Sequence, residues 1–90
     1  MFVLGAEEMK IVSKEIEVIA YFDSDGKIKP LRFRIEEDDI YKVIKIENVI
    51  STQLQDKKLV LNCSSTIGNS EKIFEIKYDT EKFTWILWKI

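Results

Sequence analysis

Residues 14–22, KEIEVIAYF, alternate along their whole length, and that alternation is the strongest constraint on how this chain can fold. Ile16, Val18, Ala20 and Phe22 fall on one side, and Glu15, Glu17, Ile19 and Tyr21 on the other. A period of two is the signature of a strand with one buried face, because successive side chains point to opposite sides of a sheet. The pattern recurs. In 28–36, IKPLRFRIE, Leu31, Phe33 and Ile35 oppose Arg32, Arg34 and Glu36. In 59–66, Leu59, Leu61 and Cys63 oppose Val60, Asn62 and Ser64. In 72–78, Phe74, Ile76 and Tyr78 are predicted to be buried, Glu75 and Lys77 exposed, and Ile73 fits neither set cleanly.

Turn chemistry separates these segments. Asp23-Ser24-Asp25-Gly26-Lys27 carries an Asp-Gly step that supplies positive φ. Glu36-Glu37-Asp38-Asp39, Gln55-Asp56-Lys57-Lys58, Gly68-Asn69-Ser70 and Asp79-Thr80-Glu81-Lys82 mark the others. Pro30 cannot donate to a ladder and marks a strand start or an unpaired edge position. The stretch 40–53 changes phase: Tyr41 and Val43 share one parity, Ile40, Ile44 and Ile46 the other, and Val49 shifts it again. A bulge, or a sharp bend near Glu47-Asn48, accounts for this. No segment carries a helical stripe. The expectation is an all-β domain, a small five- or six-stranded antiparallel barrel or roll.

The chain has 90 residues, which sets one domain and no second core. At the start, Met9 opens a natural first strand. Either residues 1–8 are an upstream extension, or Phe2, Val3 and Leu4 add an edge strand. MFVLGAEE lacks the basic region and apolar length of a signal peptide, and no apolar run approaches the ~20 residues of a membrane span. Cys63 is the single cysteine, so an intrachain disulfide is excluded and a reducing, cytoplasmic setting is the expectation.

Catalytic chemistry has little to work with. The chain contains no His, which removes Ser-His and Cys-His nucleophile pairs and Cys/His zinc sites. Cys63 has apolar neighbours and reads as a core residue. The acidic run 36–39 lacks the spaced ligands and glycine of a calcium loop and reads as a solvated hairpin tip. A non-enzymatic domain without cofactor or metal is the expectation.

Two surfaces are candidates for binding instead. The last segment, FTWILWKI, is apolar on both parities, so it is covered on both sides by the fold or by a partner. Trp85 and Trp88 fall on opposite faces. Trp88, with Ile86 and Ile90, is the candidate contact for a protein partner or a second copy, unless residues 1–12 fold over it. The second candidate is Arg32, Arg34, Lys42 and Tyr21, a basic and aromatic group suited to a single nucleic-acid strand. Its counter-reading is cross-strand pairing of Arg32 and Arg34 with Glu15 and Glu17. The net charge of −2 weighs against a broad nucleic-acid footprint.

The segment from Val18 to Ile35 resembles the opening of small β-barrel proteins of anaerobic Gram-positive bacteria, which have no established activity. Their pattern is a strand, an acidic DxDG turn, then I.PL and a second strand, with an aromatic-rich last strand. Phe22, Asp23, Asp25, Gly26, Ile28, Pro30 and Leu31 match at the front, and Phe83 and Trp85 at the back. The resemblance implies an SH3-like or related barrel and carries over no functional residue. Because some such barrels accompany DNA-handling proteins, it lends weight to nucleic acid by analogy alone.

Overall fold

The computed structural model describes residues 9–90, so the alternatives for residues 1–8 lie outside it. Seven strands follow one another: β1 (Ile11–Phe22), β2 (Ile28–Glu37), β3 (Ile40–Lys45), β4 (Asn48–Gln55), β5 (Lys58–Ile67), β6 (Ser70–Asp79) and β7 (Thr84–Lys89). All pairings are antiparallel, and the strands form one sheet in the order β3-β2-β1-β7-β6-β5-β4.

The all-β expectation is met, but the strand count and the barrel are not. The stretch 40–53 is two strands, divided by Ile46 and Glu47, which raises six to seven. Those two strands lie at opposite ends of the strand order and share no ladder, so the sheet is not closed. The phase change near Glu47-Asn48 marks this division.

Turn residues fix the hairpins. Asp38 and Asp39 both have positive φ, as do Asp56 and Lys57, which is the backbone of a two-residue turn that matches strand twist. Gly68, at φ 66°, opens the β5–β6 turn. The β1–β2 loop is longer. There the Asp23 Oδ1 accepts from the backbone N–H groups of Asp25 and Lys27, and Gly26 sits at φ 83°. In the β6–β7 turn the Asp79 carboxylate accepts N–H donation from Lys82 and Glu81, which holds it below its usual carboxylate range.

Four irregularities bend the sheet. Ser13 (φ 46°) sits in the register shift between β1 and β7, Leu31 is the extra residue of β2 against β1, Ile50 that of β4 against β5, and Trp88 that of β7 against β6. Bulges raise local twist and curl a sheet. The shift at Leu31 also places Pro30 on the inner side, buried, and turns Leu31 outward.

The curl builds the core. Phe33 of β2 and Phe74 of β6 are three strands apart in the sheet, yet their rings meet edge to face at 5.5 Å. Ile16, Ile35, Ile46, Leu61, Cys63, Ile76, Trp85 and Leu87 complete the cluster on the concave side. Each large side chain buried there contributes about 1.5–3 kcal/mol.

Phe74 is fully buried, so Phe74→Ala is expected to cost about 3–5 kcal/mol. Small domains hold a total of about 5–15 kcal/mol, so urea unfolding should show a midpoint shifted far down or no cooperative transition.

Candidate functional site

The terminal strand β7 lies inside the sheet, hydrogen-bonded to β1 on one side and β6 on the other. Its side chains divide. Trp85 is in the core, its ring 4.7 Å from that of Tyr78. Ile90 packs on the same core, and its backbone exchanges two hydrogen bonds with Lys10. Ile86 and Trp88 lie outside that cluster and are half-buried, with the Lys77 ammonium 3.9 Å from the centre of the Trp88 ring. Ile86, Trp88 and Ile90, read from the sequence as one contact surface opposite Trp85, are therefore not brought together, because Ile90 joins Trp85 on the core side. Two build the fold, and two occupy a sheltered strip of the outer face.

The second group is partly assembled. On the outer face of β1–β2–β3, Arg34 stands between Glu17 and Val43, and Arg32 between Ile19 and Lys45. The Arg34 Nε donates to Glu17 Oε1 at 2.6 Å, and its guanidinium lies 4.1 Å from the centre of the Tyr41 ring. Tyr21 is exposed opposite Lys29. Lys42 is not part of this group. It pairs in register with the buried Ile35, and its ammonium is 3.4 Å from Glu37, which also holds Lys14 at 3.6 Å. The anticipated pairing with glutamates holds for Arg34. Arg32 faces Lys45 instead, and neither of these cations has an ion pair among the described residues. Ile19 and Val43, both exposed, flank a shallow depression of about 360 Å³ whose lining also includes Val18, Phe33, Arg32, Arg34 and Glu17.

Two features escaped sequence reading. One is the Arg32–Lys45 juxtaposition, which depends on the register of a strand whose bounds the phase change obscured. The other is β4, NVISTQLQ, a charge-free run that becomes an edge strand. Its lack of charge is plain in the sequence, but its place at the edge is not.

Cys63 is fully buried, and burial pushes its thiol up to about 12. Such a thiol is a poor nucleophile, because the thiolate is the reactive form. Asp38 and Asp39 form the β2–β3 turn, and Glu37 is engaged by its two lysines. Among the described residues, no helix is long and apolar enough to cross a membrane.

No protein-family model, curated protein or solved structure matches the chain. Nothing in those comparisons bears on the resemblance to small SH3-like barrel proteins.

In the folded protein at pH 8, Cys63 is expected to react with a thiol reagent such as Ellman's reagent only as fast as the chain opens, and at once after urea unfolding. Above pH 9 the unfolded chain releases a thiol proton that the folded chain retains. Stability should therefore fall as pH rises from about 9 to about 12.

Proposed function

We propose that this chain is a non-catalytic binding or assembly module that acts by protein–protein contact, with self-association as its simplest form. The open sheet carries this reading. The strands at its two ends, β3 and β4, have no further strand partner among the described residues. Exposed Ile40, Tyr41 and Val43 line one edge strand, and Ile50 and Leu54 the other. Unpaired strand edges with apolar side chains are templates for pairing with another chain. The non-catalytic part draws support from the absence of His in the sequence and from the inert state of Cys63. The single cysteine fits a reducing compartment such as the cytoplasm.

A second reading is an accessory binder of single-stranded nucleic acid, and one observation favours it. Arg32 and Lys45 are like charges placed directly opposite each other, an arrangement that destabilises a sheet unless an anion lies between them. The outer face supplies Tyr21 and Tyr41 nearby for stacking, while Lys42 sits apart with Glu37.

Sedimentation velocity across a wide range of protein concentration tests the first reading. A concentration-dependent dimer is expected, and a monomer throughout would overturn self-association. Binding to a labelled single strand at increasing salt tests the second. If it holds, affinity falls with salt, and Arg32→Ala with Lys45→Ala removes most of it. Binding that is absent, or indifferent to both changes, rejects it.

A further inference from the structure

We infer that the free edge of β4 is the self-association interface, pairing antiparallel with β4 of a second copy so that the sheets join across a two-fold axis. This deepens the self-association reading and rests on it.

The two edge strands differ in chemistry. β3 is IYKVIK, and it carries two lysines, Lys42 and Lys45, along its edge. Lysines on an edge are a recognised defence against such pairing. Its Lys45 carbonyl is also already engaged, accepting from the Ser65 hydroxyl. β4 has no charged residue from Asn48 to Gln55. Antiparallel self-pairing sets each residue opposite one from the other end of the same segment, so a charge-free strand meets no like charge when it pairs with itself.

The bulge at Ile50 leaves Ser51–Gln55 as the regular part of the edge, in unbroken register with β5. A two-fold axis at Gln53 then sets Ser51 opposite Gln55 and Thr52 opposite Leu54 of the second copy. Leu54 is 68% exposed in the single chain and would be covered in the pair. Isologous contacts of this kind close as dimers and do not propagate.

The test changes Gln53, which is exposed, in the full chain. Gln53→Lys and Gln53→Glu each place like charges at the axis, so each is expected to weaken the dimer about tenfold or more in sedimentation. Mixing the two variants places Lys opposite Glu, and a mixed dimer should return, which a misfolded variant could not give. Val43→Lys, on β3, should leave the dimer as it is. If either Gln53 variant dimerises as the wild type does, if the mixture stays monomeric, or if Val43→Lys alone dissociates the dimer, the β4 assignment falls. A wild-type monomer would instead remove the self-association reading beneath it.

Discussion

Ile46 and Glu47 carry the chain from one end of the sheet to the other, and the shape of the molecule depends on how they do it. The Ile46 N–H donates to the Leu31 carbonyl of β2 at 2.9 Å, and the Glu47 N–H donates to the Ser64 carbonyl of β5 at 3.0 Å. These strands are four places apart in the sheet. A two-residue connection that bonds to both can exist only if the sheet curls until its ends meet. The Glu47 carboxylate then accepts the N–H and hydroxyl of Thr66, and the Ser65 hydroxyl reaches the Lys45 carbonyl. Side chains thus satisfy backbone groups where β5 extends past the end of β4. Each such bond is worth about 1 kcal/mol net, but leaving a buried partner unmade would cost more. Ile46 itself is buried in the core, so the corner anchors from within as well.

This corner explains why the molecule resembles a barrel in cross-section without being one. The concave face closes around Phe33 and Phe74 as a barrel interior would. The bulges at Leu31, Ile50 and Trp88, with the shift at Ser13, supply the curvature. Yet the ladder stops at the corner. Closure is made by Glu47 and Ser65 rather than by strand pairing, and among the described residues the edges of β3 and β4 are left over.

Much of this was legible in the sequence. The inward set Ile16, Phe33, Ile35, Leu61, Cys63, Phe74 and Ile76 follows from period-two alternation, because a half-buried strand leaves no other arrangement. The turns were legible from Asp, Gly and Asn. Leu31 and Pro30 exchanged sides because a bulge adds a residue that alternation cannot anticipate. Strand order was not legible either. The apolar two-sidedness of FTWILWKI predicted cover on both faces, but only the Trp85 face is buried in the core, while Ile86 and Trp88 stay half-buried on the outer face and β1 and β6 flank the strand within the sheet. The strand edges on which the proposed partner contact rests are visible only in the topology.

An open edge of neutral composition, left by the corner, is where we propose that this protein meets a second copy. Amide hydrogen exchange followed residue by residue at low and high protein concentration tests it most directly. Amides of Ser51–Gln55 should exchange more slowly as concentration rises, while those of β3 stay unchanged. Exchange in β4 that does not depend on concentration, or new protection confined to β3, would contradict it.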